Sequence, residues 1–123
     1  MEGYGHEDTL FGYDLKKNNI EVLHIDNPLV HIGLESNSLF LIKTRESIRN
    51  LKSILNQNGY EKLLIEDIRL LVYYKFLRKT KFNILTSLLF RVSEKILVRN
   101  LLGKNPNLFV YDLFKLGYLC SLN

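Results

Sequence analysis

The chain holds one cysteine, Cys120, and two prolines in 123 residues. A lone cysteine excludes an internal disulfide framework and fits a reducing compartment. With so few prolines and only seven glycines, long regular elements are expected. No stretch reaches the ~18 uninterrupted apolar residues that a spanning helix needs. Met1 is followed by Glu2-Gly3-Tyr4-Gly5 rather than by basic residues and an apolar run, so no secretory leader is expected and a cytoplasmic location is. Internal repeats and low-complexity segments are also missing. What remains is 46% hydrophobic and 24% charged, a globular composition long enough for one ordinary domain.

Charge is unevenly spread. Residues 1–30 carry six acids against Lys16 and Lys17, a net −4, whereas residues 31–123 carry fifteen bases against seven acids, a net +8. Between Lys75 and Lys104 there are eight bases and a single acid, Glu94. Such a block suits either an anionic partner or a solvated basic helix face.

The first 35 residues read differently from the rest. Gly3-Tyr4-Gly5 is a permissive loop, and Glu7-Asp8-Thr9 resembles a helix start, where carboxylates and hydroxyls accept hydrogen bonds from free N–H groups. A short helix through Leu10, Phe11, Asp14 and Leu15 should end at Asn18-Asn19. Ile20 to Ile25 is a β-branched run that predicts a mostly buried strand. After the Asp26-Asn27-Pro28 turn signal, Leu29 to Gly33 predicts a second extended segment.

From Ser36 onward the pattern is helical. Leu41, Thr44, Ile48, Leu51 and Leu55 form one stripe, ended by Asn56-Gln57-Asn58-Gly59. A second helix is predicted over about 61–78, with Leu64, Ile68, Leu71 and Val72 inward. A third over about 82–102 would use Leu85, Leu88, Leu89, Val92 and Ile96 and stop at Gly103. Asn105-Pro106 opens a last helix to about Cys120.

Carboxylates carry the candidate chemistry. Glu7 and Asp8 sit where a glycine-rich loop meets a helix N-terminus, whose dipole favours the ionised form that a general base requires. Capping the helix is the structural alternative for both. Of the three histidines, His24 falls inside the predicted strand, His6 in the loop, and His31 at the end of the second extended segment. An imidazole there can reach a metal or a phosphate oxygen, or serve no ligand at all.

The run Gly3 to Leu15, followed by Ile25-Asp26-Asn27-Pro28-Leu29-Val30-His31-Ile32-Gly33, resembles the C-terminal motif region of family 2 glycosyltransferases. That resemblance implies the C-terminal portion of a GT-A fold: an α/β remnant (a short helix plus two short strands) over 1–35, then a mostly α-helical extension over 36–123. It implies Asp8 as catalytic base with Glu7 beside it, Gly5 and His6 on the acceptor side, and His31 as a ligand of a divalent cation (Mn²⁺ or Mg²⁺). Its substrates would be a nucleotide sugar and a glycan or lipid-linked saccharide acceptor. The family's Asp-x-Asp motif occurs nowhere in this chain, and the nucleotide-binding strands that precede the Glu-Asp loop in the family are missing. The expectation is therefore a fragment that is inactive alone.

The tail interleaves aromatics with bases. Tyr73, Tyr74, Phe76, Phe82, Phe90, Phe109, Tyr111, Phe114 and Tyr118 alternate with Lys75, Arg78, Lys79, Lys81, Arg91, Lys95 and Arg99. That mixture suits either inter-helix packing or peripheral attachment to the inner membrane face. Two other classes compete with sugar transfer. A basic helical module binding an anionic membrane or an acidic partner accounts for the tail but not for the acidic first block. A metal hydrolase built on the histidines and Glu7 matches no ligand spacing with a mechanism behind it. Without a zinc-finger spacing or RNP-like strand, no nucleic-acid partner is expected.

Overall fold

The computed structural model describes residues 7–30, 33, 35–56 and 68–122. Among the described residues the regular structure consists of five helices: α1 (Glu7–Lys17), α2 (Asn37–Leu55), α3 (Arg69–Lys79), α4 (Phe82–Leu101) and α5 (Leu108–Ser121).

Local chemistry sets most of the boundaries. Ser36 is the N-cap of α2, its hydroxyl accepting from Leu39 N at 3.3 Å, and Asn107 caps α5 by accepting from Phe109 N at 2.8 Å. Asn19 closes α1 in the left-handed region at φ 51°, a conformation asparagine tolerates better than most residues. Ile20 N donates back to Leu15 O at 2.9 Å and Asn19 N to Lys16 O at 3.2 Å, so the last carbonyls are satisfied. Four of the five helices carry Lys or Arg in the last turn, against the negative end of the dipole.

The core sits where α2, α3, α4 and α5 meet. The α4–α5 pair is the most extensive, α2 packs on α5, and α3 touches both partners. Leu51, Leu71, Phe114, Leu119 and Cys120 are fully buried at its centre. Gly117 lets α5 approach α4 closely: a Cβ there would lie 2.5 Å from Phe90 Cδ2 and 2.9 Å from Phe90 Cβ. From α1, Leu10 packs against this core and Tyr13, one turn on, is buried too.

The expected α/β remnant is not found. Among the described residues there is no strand: residues 20–30 adopt no regular structure. Ile20, Val22 and Ile25 are exposed, with Leu23 at 85% and Leu29 at 87%. A β-branched composition produces a strand only when a second edge supplies hydrogen-bond partners, and no described segment offers one. His31 and Ile32, from the second expected strand, lie outside the described residues.

The helical readings fare unevenly. The α2 stripe is as expected at Leu41, Thr44, Ile48 and Leu51, with Ile54 more deeply buried than Leu55. In α3, Leu71 is buried but Val72 is exposed; Leu64 is outside the described residues. In α4 the sides are reversed. Leu85, Leu88, Leu89, Val92 and Ile96, expected in the core, all face solvent, while Ser87, Phe90 and Leu101 face inward. The aromatics divide likewise: Tyr74, Phe90, Phe114 and Tyr118 are buried, whereas Tyr73, Phe76, Phe82 and Phe109 are exposed.

Candidate functional site

Glu7 is the first residue of α1 and Asp8 the second, so the acidic pair occupies the first turn, where unpaired N–H groups favour negative charge. The Asp8 side chain is exposed to solvent. Gly5, His6 and His31, the remaining residues expected at the site, lie outside the described residues. His24 is exposed within the irregular segment 20–30. Among the described residues no group of three or more His, Cys, Asp or Glu could hold a metal ion. The described residues alone therefore offer no set of about three protein ligands, as a protein-held catalytic cation normally has.

Immediately after Asp8, Thr9 lines a cleft of about 600 Å³. Its other walls come from Glu35, from Phe40, Lys43, Thr44, Ser47 and Leu51 of α2, from the start of α3, and from Tyr111 and Lys115 of α5. The Phe40 and Tyr111 rings lie with centroids 5.5 Å apart at 35°. Thr44 ties the two together: its hydroxyl donates to Phe40 O at 2.8 Å and shares a 3.1 Å hydrogen bond with the Tyr111 hydroxyl. Backbone bonding of this kind is a usual destination for a threonine inside a helix.

Two lysines of the cleft wall are paired with acids, and one of them lies over a ring. Lys115 lies 4.5 Å from the Tyr111 ring centroid and is ion-paired with Asp112 at 2.8 Å. Lys43 is ion-paired with Glu35. A second cleft, of about 530 Å³, shares Arg69, Leu70 and Lys115 with the first and continues past Tyr73 and Phe109. The arrangement offers flat apolar surface, hydroxyls and positive charge within a volume typical of a small-molecule site.

Sequence reasoning located the acidic turn but not this cleft. Its lining runs from Thr9 to Lys115, and no local spacing reveals that four elements converge there. The one available signal was the polar Thr44 within the buried α2 stripe, since a half-satisfied hydroxyl inside a helix face implies a partner across the interface.

No family model, curated protein or solved structure matches the chain.

Proposed function

We propose that this chain serves the acceptor side of a sugar-transfer reaction, with Asp8 as general base and the Phe40–Tyr111 cleft as the seat of a saccharide acceptor. The observation that carries this reading is that Asp8, exposed in the first turn of α1, directly precedes in sequence Thr9, which lines the cleft. The motif resemblance over residues 3–33 supports the same assignment. A pyranose has an apolar face that packs on aromatic rings and a rim of hydroxyls that pair with Thr, Ser and Tyr side chains.

Asp8 takes the proton of the acceptor hydroxyl as that oxygen attacks the anomeric carbon. The bond from that carbon to the donor diphosphate breaks, and the electron pair leaves with the diphosphate. General-base assistance of this kind contributes about 10²–10⁴-fold. Donor binding falls to polypeptide other than this chain, which has no Asp-x-Asp. The same polypeptide would supply the Mn²⁺ or Mg²⁺ ligands, with His31 joining them.

The first test is a titration of saccharides against the isolated chain, followed through the amide and aromatic resonances of Phe40, Thr44 and Tyr111. Saturable shifts confined to the cleft are expected, and their absence across neutral and acidic glycans would refute the acceptor site. The second is transfer from a nucleotide sugar by the polypeptide that carries this sequence. Asp8→Asn should lower turnover by roughly 10²–10⁴-fold while leaving donor affinity unchanged. Unchanged turnover would remove Asp8 from the reaction.

A further inference from the structure

α4 presents two apolar sides, and only one is used. Phe90 and Leu101 face the core against α5, yet Val92 is 84% exposed and Ile96 72%. Leu85, Leu88 and Leu89 are exposed beside them. At ~100° per residue these five side chains fall within one arc of roughly 100°, and from Leu85 to Ile96 they run about 17 Å along the helix. A helix that is apolar all round is ordinarily covered all round.

Charge decides what covers it. Arg91 and Lys95 flank the stripe on one side, and Arg99 extends it toward the C-terminus; all three are exposed. Lys79 and Lys81 are exposed at the turn that leads into α4, next to exposed Phe76 and Phe82. The sole acid of α4, Glu94, lies about 160° round the helix from Val92. It is turned toward α2, where it accepts from Arg45 at 2.8 Å. The outward side of α4 is thus aliphatic, with cations along one flank and the neutral Thr86, Ser93 and Asn100 along the other.

We infer that this side of α4 docks on an anionic lipid bilayer, lying in the headgroup plane with Leu88, Val92 and Ile96 inserted and Arg91, Lys95 and Arg99 among the phosphates. No described helix is long and apolar enough to cross a membrane, so α4 lies on the surface rather than spanning it. A second copy of the chain is a poorer occupant. Two such sides brought together would juxtapose their cations with no α4 carboxylate to offset them. A nucleic acid would use the cations but leave five aliphatic side chains in water. This inference is independent of the sugar-transfer reading, since Asp8 takes no part in it.

The experiment is flotation of the full chain with vesicles of phosphatidylcholine alone and of phosphatidylcholine mixed with phosphatidylglycerol. Binding is expected to the mixed vesicles and to weaken as salt rises, because exposed charges are screened. Leu88→Gln/Val92→Gln should weaken it by about ten- to a hundredfold through loss of two inserted aliphatics. Arg91→Gln and Lys95→Gln should each weaken it by about fivefold. Both pairs of positions are exposed, so melting curves matching the parent chain certify the variants as folded. Three results would overturn the inference: no flotation with mixed vesicles, equal flotation with both lipid compositions, or binding that Leu88→Gln/Val92→Gln leaves intact. Sedimentation velocity showing a dimer that the same double variant dissociates would assign the stripe to a second copy instead. Retention of RNA with full affinity by that variant, without flotation, would assign the cations to nucleic acid.

Discussion

Arg45 of α2 reaches across the helix bundle to Glu94 of α4, with Nη2 donating to Oε1 at 2.8 Å. Its guanidinium lies 5.2 Å from the ring centroids of both Phe114 and Tyr118 on α5. One side chain therefore joins three helices, and its carboxylate partner is the only acid of α4, on the side of that helix away from Val92. The ion pair and the ring contacts are separable by mutation. The pair is about one-third exposed, so solvent screens it and Glu94→Gln should cost no more than about 1 kcal/mol. Arg45→Ala removes the contact with two aromatic faces as well and should cost roughly 1–2 kcal/mol. Urea titrations of both variants at low and high salt check this: the ion-pair part, lost in both, should shrink with salt, while the excess loss of Arg45→Ala should persist. Equal losses in the two variants would mean that the ring contacts contribute nothing.

Gly117 sets the separation of α4 and α5. A methyl group there meets Phe90 at its Cβ and Cγ, both 2.9 Å away, and a Cβ cannot swing aside as the tip of a long side chain does. Gly117→Ala gains helix propensity in the middle of α5, yet overpacking should outweigh that gain and leave a net loss of about 1–3 kcal/mol. The double change Gly117→Ala/Phe90→Leu should recover part of it by making room. Thermal melting of the single and double variants gives the comparison. An Ala variant as stable as the parent chain would show that the helices separate without cost.

Residue patterns make some of this legible and leave the rest hidden. Ser36 before the Leu41–Thr44–Ile48–Leu51 stripe specifies α2 locally, because cap and periodicity lie within one segment and act on the same turns. α4 shows the limit of the same logic. Its Leu85-to-Ile96 stripe is as regular as that of α2, but periodicity locates an apolar side without stating what covers it. Phe90, on the opposite side, takes the core because Gly117 leaves space for its ring. The run from Ile20 to Ile25 has strand composition, and strand formation depends on partners that composition does not specify. The Phe40–Tyr111 cleft is hidden for a related reason, since it exists only once α1, α2, α3 and α5 have assembled.

Cys120 is fully buried in the core, and burial pushes its thiol above the ordinary range, with Lys52 opposing in part. The thiolate is the reactive species, so alkylation should be slow in the native chain and fast in urea. A group whose pKa is raised by folding contributes its stability in full below the unfolded-state pKa and loses it as pH rises toward the folded-state value. Stability should therefore decline once pH climbs through the ordinary thiol range, and Cys120→Ala should flatten that decline while lowering stability overall by leaving a small cavity. Denaturant midpoints across neutral to alkaline pH, together with iodoacetamide labelling rates, test the pair of expectations. Rapid labelling at neutral pH without denaturant would contradict the buried, protonated thiol.

Tyr111 combines a ring and a hydroxyl whose contributions can be divided. Its ring packs beside Phe40 and under Lys115, while its hydroxyl meets Thr44 at 3.1 Å. Tyr111→Phe keeps the ring and removes the hydroxyl. The loss in stability should be about 0.5–1.5 kcal/mol, because Thr44 still donates to the Phe40 carbonyl and is not left unpaired. A saccharide that stacks on the ring and pairs with the hydroxyl should bind Tyr111→Phe several-fold more weakly and Tyr111→Ala hardly at all. Asp8→Asn should bind it as the parent chain does, since the base acts on the proton and not on the ring contact. Calorimetric titration of the three variants with one acceptor separates these outcomes. If Tyr111→Ala bound the acceptor as tightly as the parent chain, the acceptor would lie elsewhere on the molecule and Asp8 would lose the substrate contact assigned to it.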